Sequence, residues 1–170
     1  MIKNDISKAD YRSALMTMFD QIDTRNKYRA LSAGGFVIGS VSKKTFKQAN
    51  TVNFLFNGVF AAKTTQAIAL TATTHDIAAS ASSVQEAIYL ITYSAADGTT
   101  VVTKGDTATG SGAAVYPEIP AASVPVGAVR IAVAAGATSF DATSDDLDAA
   151  HLTCTYYDLG WLAPRFDAVV

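Results

Sequence analysis

Two histidines are the residues of this sequence best suited to metal binding or general-base catalysis. His75 precedes Asp76, and His151 follows Asp148 by three residues, so each pair could supply two ligands to a metal ion. Neither pair belongs to a metal-binding motif of the usual kind. A Ser-His-Asp triad would have to be assembled by the fold, because no nucleophile-elbow sequence marks a serine. We therefore predict no metal or catalytic site here, and a hydrolase stays as an alternative.

Four aspartates form an acidic segment, and grouped carboxylates are typical calcium ligands. They are Asp141, Asp145, Asp146 and Asp148. A helix-loop-helix calcium site has a glycine at its sixth position and a glutamate at its twelfth, and both are missing here. The other interpretation is that Asp145 and Asp146 cap a short turn whose Leu147 points inward. We expect no cofactor, and the sequence leaves open whether the four aspartates bind a cation.

The single cysteine and the aromatic residues are the remaining candidates for chemistry or ligand binding. Cys154 cannot form an intrachain disulfide, and its neighbours from 152 to 157 alternate as in a strand, so we expect a buried, unreactive thiol. Phe54, Phe56 and Phe60 could stack on sugars or bases. They have little flanking basic charge, so a hydrophobic core explains them better.

The amino-terminal third of the chain reads as a helix. Apolar residues recur at spacings of four, three and four between positions 11 and 22, and Gly34-Gly35 ends the pattern. This predicts one amphipathic helix from residue 7 to about 31. An isolated helix is marginal in water, so its apolar stripe must be buried. We expect Leu15, Met18 and Ile22 to form that seam, in contact with a partner or another copy.

Strand and turn patterns replace the helix pattern after Gly35. About eight short strands predict a mainly β fold: a sandwich or jelly-roll-like body at 36–160, preceded by the helical segment at 1–35 and followed by a docking tail at 161–170. The dipeptide Asn57-Gly58 predicts a two-residue hairpin turn. Apolar side chains on both faces of the segment 86–95 predict a strand that is covered on both sides.

One long loop interrupts these strands. Residues 105–127 hold three of the four prolines and several glycines, so the loop is too irregular for a strand. It is also too apolar for a free linker. We expect Tyr116, Ile119 and Val124 to hold it against the body.

Charge divides the chain into two parts. Residues 1–50 carry nine Lys or Arg and four Asp, a net charge of +5, whereas residues 51–170 carry four basic and eleven acidic residues, a net charge of −7. The formal total of −2 gives no general affinity for nucleic acid. We expect Lys43, Lys44 and Lys47 to contact an acidic partner surface, although a solvated helix with ordinary charges also explains the division.

Length and composition exclude several classes of protein. The chain has 170 residues, enough for one compact domain. No apolar stretch approaches the roughly 18 residues of a membrane span, and no secretory signal is recognisable at the amino terminus, so we expect no membrane partner and synthesis in a cytoplasm. Charged residues make up only 16% of the chain, so Ser, Thr, Ala and Gly must form much of the surface. Such a surface suits contact with other proteins.

The carboxyl-terminal half shows a family resemblance. It contains, in order, 88-IYLITYSAADGTTVVTKGD-106, 117-PEIPAASVPVGAVRIAV-133 and 138-TSFDATSDDLDAAHLTCTYYDLG-160. This order resembles a structural module of tailed-phage virion proteins, where comparable phrases recur in capsid decoration (cement) and head-fibre-like proteins. The resemblance covers about 75 of the 170 residues and excludes the helical segment. It implies a small, non-catalytic, β-rich protein, often a trimer, on the outside of an icosahedral shell.

These observations lead to one functional expectation and three alternatives. We expect a non-enzymatic decoration subunit, a homotrimer on the virion surface, that binds the major capsid protein and bridges capsomers. The first alternative is another virion component, such as a head fibre, tail or baseplate protein. The second is a carbohydrate-binding module with an exposed platform of Tyr89, Tyr93 or Trp161. The third is a hydrolase that uses His75 or His151.

Overall fold

The computed structural model describes residues 15–19, 27–71 and 73–159. Residues 15–19 are helical, and the rest of the described chain is mainly β, so the predicted fold class is confirmed. The strands are β1 Arg29–Ala30, β2 Phe36–Ile38, β3 Thr45–Gln48, β4 Val52–Phe56, β5 Val59–Lys63, β6 Gln66–Ala69, β7 Gln85–Tyr93, β8 Thr100–Lys104, β9 Ala108–Thr109, β10 Val124–Val133 and β11 Leu152–Asp158.

The largest sheet has the order β11-β10-β7-β8, with β9 also paired to β7, and its neighbouring strands are antiparallel. β7 and β10 form its centre, and nearly every residue of these two strands is buried. The two-sided apolar pattern predicted for β7 is therefore confirmed. One face, with Tyr89, Ile91 and Tyr93, enters the main core; the other, with Ile88 and Leu90, belongs to a second, smaller cluster.

Two three-stranded sheets complete the main core, with strand orders β1-β4-β5 and β2-β3-β6. Phe46 of β3 and Phe54 of β4 are fully buried, and their rings meet those of Tyr89 and Tyr93 at centroid distances of 6.5 and 4.8 Å. Gly127 of β10 lies so close to Phe36 of β2 that an added Cβ would come within 2.3 Å of the ring. The small sheets thus pack tightly on the large one.

The hairpin between β4 and β5 has the predicted two-residue turn. Asn57 and Gly58 adopt φ values of 51° and 78°, the left-handed conformations of a type I′ turn. The turn places Phe56 opposite Val59 and fixes the register along the hairpin. β5 has no second neighbour in the three-stranded sheet as far as the described residues show.

The helix prediction is wrong at its carboxyl end. Within the predicted helix of 7–31, residues 15–19 and Lys27 are helical, whereas Arg29 and Ala30 form β1 and pair with Leu55 and Phe54 of β4. Ala30 is buried in the main core, so tertiary packing overrides the local helical pattern. The remainder of the predicted helix, and the predicted docking tail at 161–170, lie outside the described residues.

The long loop covers the second face of the large sheet. The predicted loop of 105–127 is too long, because residues 124–127 belong to β10. We call residues 105–123 the strap; it includes the two-residue strand β9. Ile119 packs on the cluster formed by Ile88, Leu90 and Ala128, as expected. Val124 is buried as the first residue of β10, while Tyr116 is half-exposed and its ring meets that of Tyr157 at 6.5 Å.

Candidate functional site

His75 is a structural residue of the core. Its Nδ1 accepts a hydrogen bond from the Thr71 amide at 2.8 Å, and its Nε2 lies 3.2 Å from the Val102 carbonyl oxygen. Both ring nitrogens are therefore engaged in hydrogen bonds to the backbone. The Tyr89 hydroxyl donates to the His75 carbonyl oxygen. This geometry leaves neither nitrogen for a metal ion or a nucleophile.

His151 lies beside the acidic segment. Its Nε2 is 3.9 Å from Asp145 Oδ2 and has no hydrogen-bond partner among the residues the structure describes. No serine hydroxyl bonds to either histidine ring within that same part of the chain. The two histidines are therefore not brought into a triad by the described residues.

The acidic segment forms a turn that Asp141 caps. Asp141 Oδ1 accepts hydrogen bonds from the Thr143 amide and hydroxyl, both at 2.9 Å, and from the Ser144 amide at 3.2 Å. The Thr143 amide and the neighbouring hydroxyls lower the pKa of Asp141 to about 2. The predicted capping role thus falls mainly on Asp141, while Asp145 accepts from the Asp141 amide. Leu147 is buried, as predicted.

The four aspartates do not converge on a cation site. Within residues 15–19, 27–71 and 73–159, no group of three or more His, Cys, Asp or Glu side chains could hold a metal ion. Asp148 instead pairs with Lys43, and the Leu147 amide donates to the Lys43 carbonyl oxygen at 2.9 Å. The acidic turn therefore joins the β2–β3 connection to the rest of the body.

Cys154 lies in β11 and packs against the main core, in agreement with the predicted strand. Burial raises the pKa of the Cys154 thiol to about 12, and the negative charge of Asp148 contributes to this increase. A thiol with so high a pKa carries almost no thiolate at neutral pH.

The carbohydrate-platform alternative is wrong for two of its three residues. Tyr89 and Tyr93 are fully buried, and burial raises the pKa of both hydroxyls. The Tyr93 hydroxyl donates a hydrogen bond to Oε1 of Gln48, and Gln48 is itself fully buried. Trp161 lies outside the described residues. Of the phenylalanines, Phe54 and Phe56 belong to the core as expected, but Phe60 is 64% exposed.

A buried ion pair that the sequence did not reveal holds the strap. The Glu86 side chain is fully buried, and its Oε2 accepts from Arg130 Nε at 2.7 Å, while Oε1 accepts from the Ala114 amide at 2.8 Å. Burial opposes ionisation, but the amides of Ala114 and Gly112 and the Arg130 guanidinium outweigh it and lower the pKa of Glu86. Glu86 thus fastens the strap to β7 and β10.

The three lysines expected to meet an acidic partner lie around the β2–β3 connection. Lys43 is already paired with Asp148, whose hydrogen bond raises the Lys43 pKa. Lys44 is exposed and Lys47 is half-buried in β3, and neither ammonium group has an acidic partner in the described part of the chain. The structure therefore distinguishes one neutralised lysine from two unpaired ones.

Lys47 lines an open groove of about 390 Å³ on the outer face of the β2-β3-β6 sheet. The connection from Gly39 to Ser42 forms one wall, and residues 65–67 form the other. Thr45 and Lys47 line the groove from β3, where Phe46 points to the opposite, buried face. Val41 is fully exposed at the rim. We call this feature, with Lys44 beside it, the basic groove.

The predicted helical seam is visible only in part. Leu15 is half-buried, Met18 is 57% exposed, and Ile22 lies outside the described residues. Met16 and Phe19 are also exposed. Of the helices that the structure describes, none is long and apolar enough to cross a membrane.

No protein-family model matches the chain, and neither the curated proteins nor the solved structures contain a match to it.

Proposed function

We propose that this chain is a non-enzymatic structural protein of a tailed-phage virion: a decoration subunit that binds the outer capsid surface and bridges capsomers. The basic groove carries the proposal, because Lys44 at the β2–β3 connection and Lys47 in β3 are cations without an acidic partner among the described residues. Such a charge distribution fits attachment to an acidic protein surface. We propose the outer capsid surface as that partner because the segment 88–160 resembles virion proteins.

The chemistry of the body supports a binding role. The His75 ring, the Cys154 thiol and the Tyr93 hydroxyl are engaged in packing or buried hydrogen bonds. A mainly β body of three antiparallel sheets gives a framework for contacts with other proteins.

The test is binding of the purified protein to undecorated capsid shells, measured by co-sedimentation at several salt concentrations. Lys47→Glu reverses a charge in the groove, so we expect the apparent affinity at low salt to fall by at least about tenfold. Wild-type binding is expected to weaken as salt rises, because exposed charges are screened. Lys44→Glu should act in the same direction.

Lys104→Glu is the matched control. Lys104 is also a half-buried lysine in a strand, and its ammonium group donates to the Thr107 hydroxyl at 2.9 Å. Lys47→Glu and Lys104→Glu change the net charge equally, so a difference in their binding to the shell must come from the local role of the groove. Equal binding of both variants would contradict the groove assignment, and no binding of the wild type to any shell would overturn the proposed function.

A further inference from the structure

The outer edge of the β4–β5 hairpin has no partner strand among the residues that the structure describes. β5 pairs with β4 on one side, and no described residue pairs with its other side. In a hairpin closed by a two-residue turn, the pair beside the turn is hydrogen-bonded, so Val59, Ala61 and Lys63 point their backbone groups towards β4. The N–H and C=O groups of Phe60 and Ala62 therefore point outward. These four groups form a template for another strand.

The edge lacks the features that usually prevent pairing. Natural edge strands are protected by proline, bulges or a central charge. β5 has the sequence VFAAK, so its only charge is at its end. Lys63 is turned away from the edge: its Nζ donates to the Asp97 carbonyl oxygen at 3.2 Å. Its methylene groups lie against Gly98, where an added Cβ would come within 2.7 Å of them.

We infer that β5 pairs with β5 of a second copy of this chain, in antiparallel register about Ala61. In this register the outward groups of Phe60 face those of Ala62 in the other copy, which allows four hydrogen bonds across a twofold axis. The register also separates the like charges, because Lys63 falls opposite Val59. Two three-stranded sheets would become one six-stranded sheet.

Side-chain sizes match this register. Phe60 and Val59 are 64% and 63% exposed, while Ala61 and Ala62 are small. Phe60 would lie over Ala62 of the other copy, and the two Phe60 rings would be diagonal neighbours at about 7–8 Å, within reach of each other. Pairing would thus cover the aromatic side chain that the hairpin leaves exposed.

Sedimentation of the full chain between about 5 and 500 µM tests the pairing. A strand of five residues buries less than the roughly 1,000 Å² of a stable interface. We therefore expect a concentration-dependent change from 17.7 kDa to twice that mass. The Phe60→Lys variant should show no such change in mass, because the substitution places two lysine charges at diagonally opposite positions of the paired β5 strands. Val115→Lys, at a similarly exposed valine of the strap, should leave it unchanged.

Amide hydrogen exchange of the wild-type protein gives a second test of the β5 pairing that needs no variant. The Phe60 and Ala62 amides should exchange more slowly at high than at low protein concentration, while the exposed Val115 amide should not change. A protein that stays monomeric at the highest concentration would overturn the pairing. A trimer that Phe60→Lys does not affect would also overturn it, and would support the threefold assembly implied by the resemblance.

Discussion

Replacing Arg130 with Met tests how the strap is fastened. The change removes the cation that faces Glu86 and keeps much of the side-chain volume. Glu86 is fully buried, so its Oε2 would lose its charged donor while the carboxylate remained in the protein. Breaking a buried ion pair at one partner costs about 3–5 kcal/mol. The Arg130 side chain is 26% exposed and water can reach the site, so we expect the lower end, about 3 kcal/mol.

Urea unfolding followed by circular dichroism at pH 7 measures this loss. For a chain of this length, 3 kcal/mol corresponds to a fall in Tm of roughly 6–12 °C. The double variant Glu86→Leu/Arg130→Met carries no buried charge, so it should be more stable than Arg130→Met alone. A loss below about 1 kcal/mol for Arg130→Met, or a double variant no better than the single one, would refute the reasoning.

The same ion pair predicts a dependence on pH. Hydrogen bonds from the Ala114 amide and Arg130 outweigh burial and hold the pKa of Glu86 below its ordinary value of 4.5 in the folded protein. The unfolded chain therefore binds the proton more tightly, and this contribution to stability is present above the ordinary pKa. It is lost as the pH falls through the lowered pKa. Glu86→Gln should flatten this part of the stability profile.

Two further predictions concern the hairpin turn and the thiol. Gly58→Ala should lower the free energy of unfolding by about 1 kcal/mol, because Gly58 has a left-handed φ of 78° that a side chain disfavours. Nothing lies within 4 Å of the added Cβ, so the loss would come from the backbone conformation alone. Thermal unfolding measures the loss, and an unchanged stability would contradict this reasoning. The Cys154 thiol should react with a disulfide reagent at pH 8 at least about tenfold more slowly in the folded protein than in the urea-unfolded protein. The reason is that its pKa in the folded protein is raised to about 12, so little reactive thiolate is present. Equal rates in the two states would show that the folded protein has an accessible thiolate.

Local features of the fold could be predicted because each depends on a few neighbouring residues. Asn57-Gly58 specified the turn, since few dipeptides accept two left-handed conformations. The apolar residues on both faces of 86–95 specified a strand covered on both sides, and β7 is that strand. The helix prediction extended too far because Ala30 gains more from packing in the core than its local pattern indicated.

The roles of individual side chains could not be predicted where they depend on distant contacts. Glu86 and Arg130 are 44 positions apart, and only the register of β7 against β10 brings them together. Tyr89 and Tyr93 alternate with apolar residues, so the sequence alone did not show which face enters the core. His75 is engaged by Val102, a residue 27 positions away. Such roles need the tertiary structure.

The residues that carry the resemblance and those that carry the two proposals occupy different sheets. The segment 88–160 contains most of the large sheet, with much of the strap and the acidic turn. Lys44, Lys47 and Phe60 lie with the two small sheets, before that segment begins. For this reason the variants at Lys47 and Phe60 test this chain's own contacts.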